Sequence, residues 1–277
     1  MDNMEFVTLN NGLQMPKLGF GVWQVPDDEA EAAVKKAIEV GYRSIDTAMI
    51  YKNEAGVGRA IASSGVSREE LFITTKVWNS DQGYDTTLKA FDESLARLGL
   101  DYVDLYLVHW PMPNDDLYVE TYKALEKLYH DGKAKAIGVC NFNIDHLQRL
   151  LDECEVPPVL NQVECHPYLQ QVELKAFCKE HDIYLEAWSP LMNGKEVLEN
   201  DVIKEIAAAH GKTAAQVILR WHLQYDNIVI PKSVTPSRIE ENFQVFDFEL
   251  SADDMRKIEA LNQNRRNGAD PAEFHVK

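Results

Sequence analysis

Several things this chain would need for whole classes of function are scarce or missing. It has four cysteines, Cys140, Cys154, Cys165 and Cys178, and no CxxC pair. Neither a disulfide framework nor a zinc ribbon is therefore expected. The first ten residues, MDNMEFVTLN, hold no basic n-region and no apolar h-region, so they do not read as a signal peptide. Apolar runs last a few residues only, against the roughly 20 that span a bilayer. Basic charge is in deficit: 28 Lys and Arg stand against 45 Asp and Glu, a net charge of −17. Such a surface repels phosphate backbones and anionic headgroups. Nucleic acid and membrane are thus not expected as partners, and a reducing cytoplasm is the simplest location. Taken alone, the acidity also argues against a phosphate-bearing ligand.

What is present is ordinary globular material, 45% apolar and 26% charged over 277 residues, enough for a large core. One rhythm dominates. Short β-branched or apolar runs lie at residues 18–23, 43–46, 71–76, 103–109, 136–140, 159–164, 183–188 and 228–230. Between them lie amphipathic stretches at 28–40, 54–63, 84–98, 117–131, 144–151 and 172–181, two more after residue 199, and one at 237–242. Strands alternating with helices of this length indicate parallel βαβ units. The runs lack strict alternation, as strands buried on both faces do. Eight such units predict an α/β fold, a (β/α)8 TIM barrel, as one domain over residues 1–277. The rival open sheet would carry GxGxxG after its first strand; here there is only Gly19-Phe20-Gly21 followed by Val22-Trp23. Two pieces fall outside the count. Residues 6–15 read as a β-hairpin turning at Asn10-Asn11-Gly12, placed to close the barrel bottom. Residues 251–261 read as an extra C-terminal helix, with Ser251 as N-cap and Asp254 at its third position.

Barrel enzymes react at the C-terminal ends of their strands, so the polar strand ends carry the functional reading. The second run ends in Asp46, with Tyr51 five residues on; the third ends in Lys76; the fourth ends in His109. Singly, each has a plainer explanation: a solvated lysine, a packed tyrosine, a structural histidine. Together, four different ionisable groups on three consecutive strand ends are hard to explain as packing. Lys76 buried near the axis must pair, and Asp46 is in reach. The ammonium would then lower the pKa of a neighbouring phenol toward neutrality, fitting Tyr51 as general acid for a developing alkoxide. His109 would orient the carbonyl.

In the order Asp46, Tyr51, Lys76, His109, the sequence resembles the aldo-keto reductases. The resemblance spans essentially the whole chain. It includes GYRSIDTAMIYKNE (41–54), TTKVWN (74–79), DLYLVHWP (104–111), AIGVCNF (136–142), NQVECHP (161–167), EAWSPL (186–191) and IPKSVTPSRIEENF (230–243). Within the family it is most similar to bacterial 2,5-diketo-D-gluconate reductases and glyoxal/methylglyoxal reductases. The resemblance implies reduction of aldehydes and ketones to alcohols with NADPH/NADP+, by a monomer with no metal. It implies that Asn141 and Gln162 bond the carboxamide and that Trp188 stacks on the nicotinamide. Ser189, Pro190 and Leu191 would flank the pyrophosphate. Lys232, Ser233 and Arg238 would hold the 2′-phosphate, and Glu241 with Asn242 the adenine. Two cations near a helix N-terminus suit a phosphate dianion. Three departures stand out, the first being Trp188 where many members have tyrosine, a change that keeps the stacking. Cys140 precedes Asn141 where most members have serine, a better hydrogen-bonding group than a thiol. Met192-Asn193-Gly194 is a short connection, so a loose belt over the pyrophosphate is expected.

Trp23, Trp78 and Trp110 follow strand ends and, with His109, are expected to line the substrate site. The loop after His109 is short, and the tail after Leu261 is short and polar. An open pocket for small polar dicarbonyls and short or aromatic aldehydes is therefore expected, without a steroid-sized cleft. Rival readings use fewer of these residues. A Schiff-base aldolase on Lys76 leaves Tyr51 and His109 idle. A metal hydrolase on His109, Glu164, Cys165 and His166 lacks ligand spacing. A regulatory subunit would not need a complete tetrad.

Overall fold

The first and last barrel strands meet at a seam that decides the architecture. The computed structural model describes residues 4–194 and 196–277. Eight strands run parallel and neighbour one another in chain order: β3 (Phe20–Gly21), β4 (Ser44–Asp46), β5 (Phe72–Val77), β6 (Val103–Val108), β7 (Ala134–Cys140), β8 (Leu160–Glu164), β9 (Tyr184–Trp188) and β10 (Ile228–Val229). Parallel bridges between Leu18 and Val229 and between Gly21 and Lys232 join β3 to β10. The expected (β/α)8 barrel is therefore the observed one. The seam is narrow. A Cβ on Gly19 would lie 3.0 Å from both Ile230 Cγ2 and Ser44 Oγ, which explains a glycine there.

Helices α1 (Asp27–Val40), α2 (Glu54–Ser63), α3 (Tyr84–Leu98), α4 (Tyr118–His130), α5 (Ile144–Glu153) and α6 (Val172–Glu180) follow β3 to β8 in turn. After β9 come α7 (Asp201–His210) and α8 (Ala214–Gln224), and after β10 comes α9 (Pro236–Phe243). Each sets an apolar stripe on the sheet: α1 buries Ala30, Ala33, Val34, Ala37 and Ile38, three to four apart as a 3.6-residue period demands. Its Asp28, Glu29 and Glu39 face solvent, so the negative charge is carried outside the ring.

The hairpin pairs β1 (Phe6–Thr8) with β2 (Gln14–Pro16). Its Val7, Leu9 and Met15 pack among Leu105, Leu107, Leu160 and Ile228, the inward side chains of the barrel. Asn10 Nδ2 donates to the carbonyls of Pro158 and Asp182, and Asn11 Nδ2 to that of Lys135. These contacts fasten the turn across the strand starts and stopper the bottom, leaving the opposite mouth for chemistry. The extra helix α10 (Ala252–Glu259) opens with the expected cap, Asp254 N donating to Ser251 Oγ at 3.0 Å. Ile258 seats it on α7 and α8. Among the described residues no helix is long and apolar enough to cross a membrane.

Candidate active site

Strand register delivers the reactive groups. Asp46 pairs with Thr74, and Lys76 with Leu107, in the parallel ladder. Leu107 points into the barrel, so Lys76 does too. The alternate residue Thr75 faces outward and donates to Glu54 Oε2 at 2.6 Å, while Glu54 pairs with Arg97. That outer bond locks the strand in rotation.

Lys76 is fully buried. Its Nζ donates to Asp46 Oδ1 at 2.5 Å, to the Thr47 carbonyl at 2.9 Å and to Tyr51 Oη at 3.3 Å. Three N–H groups meet three acceptors, so the ammonium is saturated and fixed. Tyr51 sits on a single 3-10 turn, Met49–Tyr51. Asn53 holds that loop. It accepts from Thr47 Oγ1 at 2.6 Å and donates to the Val22 and Val25 carbonyls at 2.9 and 3.0 Å. His109 lies edge-on to Tyr51, with ring centroids 5.7 Å apart, and to Trp78 at 5.2 Å.

The electrostatics differ from expectation in one respect. Lys76 does pull the Tyr51 phenol downward, but burial acts more strongly and pushes it up to about 12. Desolvation of the phenolate outweighs the neighbouring charge, and the phenol keeps its proton at neutral pH. Burial first, and the Lys76 charge second, hold His109 well below its usual range. His109 is thus neutral. Its Nδ1 is buried without a hydrogen-bond partner among the described residues, which favours the tautomer with the proton on Nε2.

Beyond these four, Asn141 Nδ2 donates to the His109 carbonyl at 2.9 Å, and Asn141 Oδ1 accepts from Trp188 Nε1 at 2.8 Å. The pair couples the fifth and seventh barrel strands and sets the plane of the indole. Gln162 spends its amide nitrogen on Asp46 Oδ2 at 2.8 Å and Glu186 Oε1 at 2.6 Å. Cys140 points into the barrel interior, and burial pushes its thiol up; it behaves as a small apolar group.

Ser189, in a left-handed conformation at φ 50°, turns the chain away from β9. Its hydroxyl reaches Asn193 Oδ1 at 3.2 Å. Pro190 is buried and Leu191 half-buried beside it. The segment that follows is tied down: Arg265 from the tail grips both oxygens of Glu196 at 2.7 and 2.8 Å.

Lys232, four residues before α9, and Arg238, in its first turn, are exposed and form no ion pair among the described residues. Ser233 between them is buried, its Oγ accepting from Thr235 N at 3.1 Å. Glu241 and Asn242 follow on the same helix, Asn242 buried and Glu241 half-buried. The net charge of −17 coexists with two unpartnered cations at one point.

At the mouth, Trp78 and Trp110 are buried together with Met112. Trp23 is instead 41% exposed and lies outside that cluster. The tail is not a polar appendage. It crosses the top, and Phe274 packs against Trp78 and Trp110. Asn79 Nδ2 bonds the Val276 carbonyl at 2.7 Å. Glu164, whose carboxylate accepts from Asn267 N, Gly268 N and His166 Nε2, anchors the tail's other end. Glu164 and His166 thus serve the tail and not His109. Phe274 was not singled out in the sequence, because nothing local says that a polar tail brings an aromatic ring back to the mouth. Asn53 was missed for the same reason: its partners are 28 and 31 residues away.

Comparison with known proteins agrees with this geometry. Residues 17–263 match the aldo/keto reductase family. The chain is 59% identical to glyoxal reductase of Bacillus subtilis, over 97% of this chain and 96% of that protein. It is 53% identical to methylglyoxal reductase DkgA of Escherichia coli, over 99% of both. The crystal structure of an aspartate-to-alanine mutant of Gox0644 in complex with NADPH superposes with a TM-score of 0.95 at 48% identity, covering 99% of both chains. A barrel with this tetrad at its open mouth and with relatives this similar along its length belongs to the aldo/keto reductase family.

Proposed function

We propose that the chain reduces small dicarbonyls such as methylglyoxal, and short or aromatic aldehydes and ketones, to alcohols with NADPH, with Tyr51 as proton donor. One observation carries this reading: Lys76, saturated by Asp46, Thr47 and Tyr51, points its fixed charge at a phenol that still holds its proton. Bound NADPH supplies the hydride that reaches the carbonyl carbon. The developing alkoxide is protonated by Tyr51 Oη. Lys76 offsets the charge left on the phenolate, and Asp46 keeps the ammonium aimed. Neutral His109 donates from Nε2 to the carbonyl oxygen and orients it. Trp78, Trp110 and Phe274 exclude water and shape the carbonyl site, with Trp23 at its rim.

The residues present fit the dinucleotide. Asn141 makes one donation and one acceptance among the described residues, so it retains one N–H and one lone pair for a carboxamide. Gln162 offers its carbonyl end. Trp188, held by Asn141, presents a ring face. Ser189, Pro190 and Leu191 flank the pyrophosphate. Lys232, Ser233 and Arg238 meet the 2′-phosphate at a helix start, and Glu241 with Asn242 the adenine. That its relatives include a glyoxal reductase and a methylglyoxal reductase supports the substrate class. We take the protein to act as a single-domain monomer in the cytoplasm.

Tyr51→Phe tests the assignment. Turnover of methylglyoxal should fall by about 10³-fold, while NADPH still quenches tryptophan fluorescence at the same concentration. Unchanged turnover removes Tyr51 from the acid role.

A further inference from the structure

Glu186 lies on β9 facing the barrel axis, 1% exposed, and takes no part in the steps above. It is the register neighbour of Gln162. Gln162 Nε2 donates one hydrogen to Glu186 Oε1 at 2.6 Å and the other to Asp46 Oδ2 at 2.8 Å. Asp46 Oδ1 holds Lys76, and Lys76 holds Tyr51. An unbroken line of side chains therefore runs Glu186, Gln162, Asp46, Lys76, Tyr51.

The charges along this line do not balance if every acid is ionised. The groups facing Glu186 are Asp46 from β4, Lys76 from β5, Cys140 from β7 and Gln162 from β8. Its neighbour on β10, Ile228, is apolar. Cys140 is neutral and Gln162 cannot ionise, so two carboxyls share one ammonium. Asp46 takes it directly. A second carboxylate in the closed interior would have no cation of its own. Burial, and then the Asp46 charge, accordingly push Glu186 above the usual carboxylate range.

We propose that Glu186 is a positioning residue for the proton-donating tyrosine: it works in its protonated form, clamping Gln162 onto Asp46, and its ionisation at alkaline pH turns reduction down. The inference rests on the acid role proposed for Tyr51. On ionisation, Glu186 gives its proton to solvent hydroxide and places a second negative charge beside Lys76. Lys76 is then shared between two carboxylates and stabilises the Tyr51 phenolate less, so Tyr51 becomes a weaker acid.

Three chains decide the matter: wild type, Glu186→Gln and Glu186→Leu, each assayed with methylglyoxal and NADPH from pH 6 to 10. Glutamine keeps an acceptor oxygen for Gln162 and cannot ionise. Its alkaline fall in kcat/KM should move upward by about one pH unit or more. Leucine removes the acceptor and frees Gln162. It should lower kcat about tenfold at every pH, with a change in carbonyl KM below about threefold. Superimposable profiles for wild type and Glu186→Gln overturn the proposal, as does a Glu186→Leu chain with wild-type kcat. If Glu186→Leu does not fold, the Glu186→Gln profile alone decides. Tyr51→Phe run alongside separates the two failures. If it keeps turnover, the acid assignment is wrong. If it loses turnover while Glu186→Gln tracks wild type, only the role of Glu186 is wrong.

Discussion

Phe274 stacks on Trp110 with ring centroids 4.1 Å apart and planes inclined by 28°. The stack brings the last residues of the chain to the site mouth, 164 positions from their partner. It predicts a role in choosing substrate. Aromatic pairs of this kind contribute about 0.5–1.5 kcal/mol beyond burial. Phe274→Ala should raise KM for an aromatic aldehyde by about five- to tenfold and leave KM for methylglyoxal within about twofold. Steady-state kinetics on the two substrates checks it; equal changes would place Phe274 outside the pocket.

Lys232 and Arg238 are exposed cations without ion-pair partners among the described residues. Hydrogen bonds to charged groups contribute about 1.5–3 kcal/mol each. Replacing both by alanine should weaken NADPH binding by about 10²-fold and NADH binding by less than about threefold. Fluorescence titration with each dinucleotide measures the difference. An equal loss for both would move the 2′-phosphate elsewhere.

Asn53 is completely buried and ties the Tyr51 loop to the segment after β3. Asn53→Ala strands the Val25 carbonyl and the Thr47 hydroxyl, and leaves the Val22 carbonyl with the Val25 amide alone. Buried polar groups left unpaired cost about 1–3 kcal/mol each, eased by local relaxation. A loss of about 3 kcal/mol in urea denaturation is expected, together with a kcat lowered about tenfold as Tyr51 loses its fixed distance to Lys76. A stability loss with unaltered kcat would show that the loop is held by other contacts.

Glu164 supplies a pH-dependent contact. Burial pushes its carboxyl up, but the His166 hydrogen bond and the Asn267 and Gly268 amides together outweigh that and leave it lowered. A lowered carboxylate stabilises the folded form fully above its unfolded pKa of about 4.3. The contribution is lost as pH falls below that, through the folded value. Hydrogen exchange at the 267 and 268 amides, corrected for intrinsic rates, should therefore remain protected at pH 6 and open only as the pH is taken below the ordinary carboxylate range, through the lowered folded value. Glu164→Ala, which removes both acceptor oxygens, should open them at either pH. Protection independent of pH in the wild type would contradict this.

Much of this was legible along the chain because parallel barrels write their chemistry at strand ends. Asp46, Lys76 and His109 each close an apolar run, and Tyr51 stands one short turn beyond. Helix positions follow from the 3.6-residue spacing of side chains such as Ala30, Ala33, Val34 and Ala37. The first run divides between two neighbours: Phe20 and Gly21 pair with Ile45 and Asp46, while Leu18 bridges Val229 across the seam. Tyr51 was expected to titrate lower than free tyrosine. The sign of that shift depends on how much water reaches the hydroxyl, which a sequence does not record.

By itself the sequence determined the barrel, the hairpin, the family and the order of reactive groups, because all of these rest on local periodicity and on long matching segments. Tertiary structure alone decided the rest. Glu186 reads as one more strand acid until the sheet closes and brings it onto the same amide as Asp46, 140 residues away. Phe274 reads as part of a polar tail until the tail is pinned at Glu164 and Asn79. Both depend on contacts between distant residues and on the desolvation that closure imposes. These are properties of enclosed space, and the linear pattern of side chains carries no measure of them.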